Sequence, residues 1–429
     1  MERLTGVIQP YAWGSLTAIP EFLGVEATGK PQAELWFGAH PLAPSMLDGE
    51  PLDKVVAHDP VGVVGGAAVE AFGARLPFLL KVIAAAQPLS LQAHPSRTQA
   101  EAGFAREQAS GIPRDAPNRS YRDGWPKPEL LCALVETDAL CGFREPGETY
   151  RLFEKLGVPS ALDLVQPLAD VTVSAEERLA RVFARLLRAA PEQRSVIADV
   201  VRAAKSLDGS SDLNSFARTA CELNTHYPDD PGVLAALLMN RITLQPGDAL
   251  YMPAGNLHAY LSGGGVEIMA NSDNVMRGGL TPKYVDVDEL LAILDFTPGL
   301  RGLITPIEES PGLWRYPTPV PEFALWRIQC RESLYKFGFR RVPDRRRTPS
   351  RGQSPQLPRP HSAGPLRRVR DQLLRWPTWP SVRPRRPGVC VRTFPRERAP
   401  ARRTARYARA RIQAPASDSA IALATPRWA

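Results

Sequence analysis

Sulfur is scarce in this 429-residue chain: Cys132, Cys141, Cys221, Cys330 and Cys390 are scattered, with no C-x-x-C pair. That spacing argues against both a disulfide framework and a thiolate zinc site, so reduced thiols are expected. No run of about 18 apolar residues occurs, and Met1-Glu2-Arg3-Leu4-Thr5 is not a charged lead into an apolar core. Neither a membrane span nor a signal peptide is expected, and the expected compartment is the cytoplasm. No repeat of solenoid length is present. Apolar residues make up 44% of the chain, enough for packed cores, and the length suits two or three domains.

The net charge of +8 averages two unlike pieces. Residues 331–429 hold 24 Arg and one Lys against five acids, while the first 330 residues carry 28 basic and 40 acidic side chains, a net of −12. The body is therefore acidic, and nucleic-acid binding would rest on the tail alone. That tail holds 14 of the 43 prolines, in runs such as Arg383-Pro384-Arg385-Arg386-Pro387, with no sustained period of 2 or 3.6. It cannot bury enough apolar surface to offset chain entropy, so disorder is expected over 329–429. Out-of-frame GC-rich codons commonly supply Arg and Pro, and a reading-frame change near Ile328–Cys330 is the favoured explanation. Resequencing the gene across that point decides it.

Up to about residue 145 the chain reads as short apolar strands broken by Gly and Pro, for example Glu34–Ala39 and Pro77–Ala84, a pattern of a sandwich or barrel. From 146 to 240 the period becomes helical. Ser174-Ala175-Glu176-Glu177 is a capping box, and Leu179, Val182, Phe183, Leu186 and Leu187 share one stripe. Val196, Ile197, Val200, Val201 and Ala204 form a second. Strand-like sequence resumes at Arg241-Ile242-Thr243-Leu244 and runs to about Ala270, followed by a helix at Val287–Leu294 that Asp286 or Asp288 can cap. The expected fold is mainly β with an α insertion: a catalytic unit from 1–145 and 241–300, a helical insertion at 146–240, and the start of a further domain at 301–328.

Three segments carry metal-type donors. In Leu89-Ser90-Leu91-Gln92-Ala93-His94-Pro95, Gln92 and His94 are i and i+2, so a strand points both to one face. In Trp125-Pro126-Lys127-Pro128-Glu129-Leu130, Glu129 follows a Pro-stiffened approach and should stand at a barrel mouth. Gly247-Asp248-Ala249-Leu250-Tyr251-Met252-Pro253-Ala254-Gly255-Asn256-Leu257-His258 matches the second cupin motif, with Ser262 where a trailing Asn is usual. Turns at Pro246-Gly247 and Pro253–Gly255 would project His258 inward. Two nitrogen and two oxygen donors suit Zn²⁺, one per chain, with room for a substrate oxygen. The Gly-punctuated stretch Gly263–Lys283 adds Glu267, Asp273, Arg277 and Lys283.

Five ordered segments together resemble the type I mannose-6-phosphate isomerase family over residues 1 to about 328. They are Tyr11-Ala12-Trp13-Gly14-Ser15 with Ala33–Pro41; Pro77-Phe78-Leu79-Leu80-Lys81 through Gln87-Pro88-Leu89-Ser90 to His94; Lys127-Pro128-Glu129; the Pro-x-Gly-x-x-His turn; and Ser272–Lys283. The resemblance implies a cupin-type β-barrel with a helical insertion, zinc on Gln92, His94, Glu129 and His258, and Arg277 as catalytic residue. It further implies isomerisation of D-mannose 6-phosphate and D-fructose 6-phosphate, feeding activated sugar-nucleotide synthesis; separately, a monomer is expected. Ser90 and Lys283 look like the family's phosphate contacts, and Lys81, Lys127, Glu267 and Asp273 line the same pocket by analogy. A zinc-bound hydroxide, Glu267 and Asp273 all remain open as the base that collects the carbon proton, with Lys127 as a shuttle to oxygen. Two departures stand out: Pro126 replaces a usual His, and the tail lacks the family's second cupin-like barrel. The alternatives are a non-catalytic zinc-cupin that binds sugar phosphates and an inactive frameshifted isomerase.

Overall fold

The computed structural model describes residues 4–189, 195–207, 211–329 and 419–424. At its centre lies one long strand, His258–Ala270, which belongs to two antiparallel ladders. Its first residues pair with Thr137–Phe143 and Gln92–Ala93, and its last with Glu129–Ala133 and Phe78–Ala85. The exchange of partners falls at Gly263-Gly264-Gly265. Gly263 has φ of +97°, and a Cβ there would lie 2.3 Å from the carbonyl oxygen of Glu136. At Gly265 a Cβ would lie 2.4 Å from the Cys132 oxygen. Only glycine lets the strand bend this tightly between neighbouring backbones. Gly263→Ala is expected to destabilise the fold by roughly 2–4 kcal/mol, seen as a lowered urea midpoint. An unchanged midpoint would show that the bend tolerates a side chain.

The ladder made by its last residues, here the first ladder, continues through Glu129–Ala133 to Ala249–Met252 and Leu303–Ile304, and through Phe78–Ala85 to Glu34–Gly38 and Val7–Gln9; the ladder made by its first residues is the second. Met239–Leu244 borders the second ladder on one edge and Met276–Arg277 on the other. Strand alternation sorts the side chains into layers. Leu80, Val82, Leu130, Cys132, Val266 and Ile268 face outward onto Tyr316, Phe323 and Leu325. Ile83, Leu131, Leu250 and Met252 of the first ladder meet Ala139 and Tyr260 of the second in a separate core. Leu257, Ala259 and Leu261, alternating with His258 and Tyr260, turn away from that core onto the helices.

The helices include Pro146–Leu156, Ala175–Leu187, Ser195–Ala204 and Asp212–His226. Both expected stripes, from Leu179 to Leu187 and from Val196 to Ala204, are buried in one cluster with the second ladder. The Ser174 hydroxyl accepts from the Glu177 amide at 3.1 Å, and Asp286 accepts from the Glu289 amide at 3.0 Å to start Val287–Ile293. No helix among the described residues is long and apolar enough to cross a membrane.

The architecture mixes sheet and helix, and helix reaches further than the sequence pattern suggested. Leu52–His58, Pro60–Val64, Gly66–Phe72 and Arg97–Ala109 all lie in the stretch read as strands. Arg97–Ala109 buries only Ala100, Gly103 and Glu107, too weak a stripe to reveal a helix, although its Ser96–Gln99 capping box is a local start signal. The tail differs in one place from the expected disorder. Ser419–Ala424 is a strand paired antiparallel with Ala324–Gln329, completing a sheet with Ile307–Ser310 and Leu313–Tyr316. The rest of the expectation for 329–429, from 330 to 418 and from 425 to 429, lies outside the described residues.

Candidate metal and isomerase site

The inner face of the two ladders carries the polar cluster. On the first ladder, Glu34, Lys81, Glu129 and Glu267 sit at positions opposite in phase to the outward-facing apolar residues. On the second, His258 is the first residue of its strand and is directly opposite Gln92, which in turn is opposite Arg277. Residues directly opposite in adjacent strands project to the same side, so Gln92 lies between His258 and Arg277 on one face. His94 follows two residues later.

His94, Glu129 and His258 converge, with one donor atom from each lying within 4.8 Å of the others. All three are buried, and Glu129 is only 2% exposed, deeper than the barrel-mouth position expected for it. His94 Nδ1 lies 2.8 Å from the Asn274 carbonyl oxygen, and His258 Nδ1 lies 3.0 Å from that of Asn256. A carbonyl oxygen can only accept, so each Nδ1 carries the hydrogen and each Nε2 of the neutral ring presents a lone pair. Those lone pairs face Glu129: His94 Nε2 is 3.3 Å from Oε1 and His258 Nε2 is 3.2 Å from Oε2. Acceptors facing acceptors need a cation between them, and His94 Nε2 has no hydrogen-bond partner. The residues therefore fit a divalent metal, with backbone carbonyls fixing both imidazole tautomers.

Electrostatics agree with that arrangement. Burial pushes the His94 imidazole down to about 4, against the pull of Glu129. Burial opposes ionisation of Glu129, but the Lys127 ammonium beside it outweighs burial and holds the carboxyl well below its ordinary value. In metal-free protein these shifts link folding to pH. His94 in the fold takes a proton only near pH 4, whereas in the unfolded chain it does so near 6.5. The unfolded state thus binds the extra proton between these values, and stability falls as pH drops through that window, by on the order of 3 kcal/mol. Glu129 adds to the loss as pH falls below its ordinary value of 4.5. Urea unfolding of chelator-treated protein at pH 7 and pH 4.5 measures this, and equal stabilities would contradict it.

Around the triad, Lys127 Nζ lies 3.0 Å from Glu129 Oε1. Lys81 Nζ is 3.1 Å from Glu267 Oε2 and 3.8 Å from Glu34 Oε1, while the Tyr260 hydroxyl donates to Glu267 Oε1 at 2.8 Å. Burial and the charge of Glu129 raise the Glu267 pKa. Burial alone would lower the Lys81 pKa, but Glu34, Glu267 and Glu129 raise it, so Lys81 is a fixed ammonium. Asp273 is not part of this cluster. Its Oδ1 lies 3.2 Å from His40 Nε2 at the edge of the site, and His40 holds its carboxyl low despite burial. Arg277 is half-buried, Lys283 is exposed, and Ser90 is half-buried two residues before Gln92. Neither Lys283 nor Ser90 touches the His94–Glu129–His258 triad through any hydrogen bond or ion pair among the described residues. His40, Tyr260, Glu34 and Asn274 were not singled out from sequence. Tyr260 was discoverable as i+2 of His258, and Glu34 by its phase in a buried strand; the Asn274 contact to His94 spans 180 positions and leaves no local trace.

Residues 1–146 match the family described as phosphomannose isomerase type I, catalytic domain. Mannose-6-phosphate isomerase of Salmonella typhimurium is 41% identical over 332 residues, covering 76% of this chain and 82% of that protein. The Homo sapiens protein of that name is 32% identical, covering 78% and 83% respectively. The Salmonella typhimurium crystal structure with substrate, fructose 6-phosphate, and zinc bound superposes with a TM-score of 0.69 at 39% identity, covering 77% of this chain and 83% of that one. Fold, site and relatives define a sugar-phosphate isomerase. The chain belongs to the type I mannose-6-phosphate isomerase family.

Proposed function

We propose that the protein interconverts D-mannose 6-phosphate and D-fructose 6-phosphate at a single zinc ion held by Gln92, His94, Glu129 and His258. The observation that carries this reading is the pair of imidazole lone pairs aimed at the Glu129 carboxylate, which a divalent cation reconciles. The catalytic unit is read as a cupin-type barrel drawn from 1–145 and 241–300, with 146–240 inserted and 301–328 opening a further domain. The direct pairing of Thr137–Phe143 with Met239–Leu244 across the insertion supports it.

Moving a carbonyl between C1 and C2 requires a proton to leave one carbon and return to its neighbour through an enediolate. Zinc bound at the site would supply Lewis acidity toward the two neighbouring sugar oxygens. Arg277, beside Gln92 in the ladder, adds fixed positive charge where the oxyanion develops. Glu267 collects and returns the carbon proton. Burial and the nearby Glu129 charge increase its affinity for that proton, and Tyr260 and Lys81 fix its two oxygens. Lys127, ion-paired with Glu129, stands ready to move a proton at the sugar oxygen. Asp273 orients His40 at the rim, and Ser90 and Lys283 take the phosphate. The reaction is placed in the cytoplasm and supplies mannose for sugar-nucleotide synthesis. Isomerase activity of the purified protein should vanish with a chelator and return with Zn²⁺. Activity that survives complete metal removal would rule this reading out.

A further inference from the structure

Three cations lie near the site. Among the described residues, no hydrogen bond, ion pair or ring contact involves the guanidinium of Arg122, that of Arg277 or the ammonium of Lys283. Their neighbours are otherwise engaged: Arg75 and Arg97 stack on Trp125 at 4.6 and 3.9 Å, Arg106 pairs with Glu289, and Arg119 donates to the Tyr121 oxygen at 2.7 Å. All three lie in a body of net charge −12. They also share one field. After burial, Arg122 lowers the pKa of Arg277, and Arg277 and Arg122 lower that of Lys283, with no carboxylate relieving either.

The backbone that presents Arg122 is fixed on both sides. Glu107 accepts from the amides of Ser120 and Tyr121 at 3.0 and 2.8 Å, and Asn274 Oδ1 accepts from those of Arg122 and Asp123 at 2.7 and 3.2 Å. The same Asn274 returns hydrogen bonds to the Asp123 and Trp125 carbonyls, and its own carbonyl holds His94. Asp273 lies in the field of Arg122, but its ion pair is with His40, through Oδ1. A guanidinium held by a rigid backbone, unpaired, and grouped with two other cations is arranged for an external oxyanion.

We propose that Arg122 is a further contact for the phosphate of the substrate, acting with Lys283, and that it sets the preference for phosphorylated over free sugar. This rests on the sugar-phosphate reading above. Arg122 is a specificity residue, since its charge engages the phosphate and not the carbons that exchange a proton.

The test uses the zinc-loaded full chain. For Arg122→Gln, KM for mannose 6-phosphate should rise about 10-fold or more with kcat within about threefold, and competitive inhibition by inorganic phosphate should weaken in parallel. Arg122→Lys keeps the charge and should restore most of the phosphate affinity. Unchanged KM and phosphate inhibition in Arg122→Gln would overturn the assignment, as would a fall in kcat alone. If the wild-type protein shows no isomerase activity, the functional reading fails. Calorimetric titration of inorganic phosphate into wild type and Arg122→Gln then still decides the contact: weaker binding by the variant supports it, and equal binding removes it.

Discussion

Replacing His258 with alanine should remove zinc from the purified protein and lower kcat/KM by at least about 10³-fold. The site places Nε2 of His258 and of His94 on the two oxygens of one carboxylate, at 3.2 and 3.3 Å, so loss of either imidazole leaves the cation with a broken donor set. Lewis-acid stabilisation of an enediolate is worth several kcal/mol, and each 1.36 kcal/mol is tenfold in rate. Ala259 and Leu261, on the other face of the strand, pack on the helices and are untouched by the change, so the variant should still fold. Metal analysis beside steady-state kinetics reads both effects. A variant that holds stoichiometric zinc, or turns over normally, would separate His258 from the metal.

Arg277→Ala should behave differently: kcat falls about 10²-fold or more while zinc stays bound. Arg277 sits opposite Gln92 in a two-residue strand and makes no ion pair among the described residues, so its charge is available to a developing oxyanion. Burial and the neighbouring Arg122 lower its pKa, and a guanidinium remains charged throughout the working range. Unchanged turnover would refute the role. Taken together, the two variants divide the site into a residue that holds the metal and one that acts beside it.

Much of the donor set was legible because strand geometry is local. The spacing of Gln92 and His94 marked that segment, His94 converges with Glu129 and His258, and the turns around Pro253–Gly255 bring His258 in at a strand start. The helical stripes from Leu179 and Val196 were legible for a similar reason, since a 3.6 period over ten or more residues has few competing explanations. What sequence could not supply was closure. The His40–Asp273 pair joins residues 233 positions apart, and the Asn274 brace reaches back to Arg122 and His94 only because two loops meet across the fold. Charge on Arg122 reads as ordinary solvated surface until the structure shows its guanidinium without an ion pair among the described residues, next to the Asn274 brace. Arg97–Ala109 was missed because its buried face is formed by Ala, Gly and Glu, which carry no apolar rhythm. The Ser419–Ala424 strand was missed because its six residues lie beyond a long Arg/Pro-rich stretch, where nothing nearby signals a partner at Ala324–Gln329.

The most direct test is an anomalous-difference map at the zinc edge from crystals of the zinc-loaded chain. It should show one strong peak, coordinated by His94 Nε2, His258 Nε2, a Glu129 oxygen and the Gln92 amide oxygen, at about 2.0–2.2 Å for the nitrogen and carboxylate donors. A peak away from these side chains, or none in zinc-loaded crystals, would contradict the account.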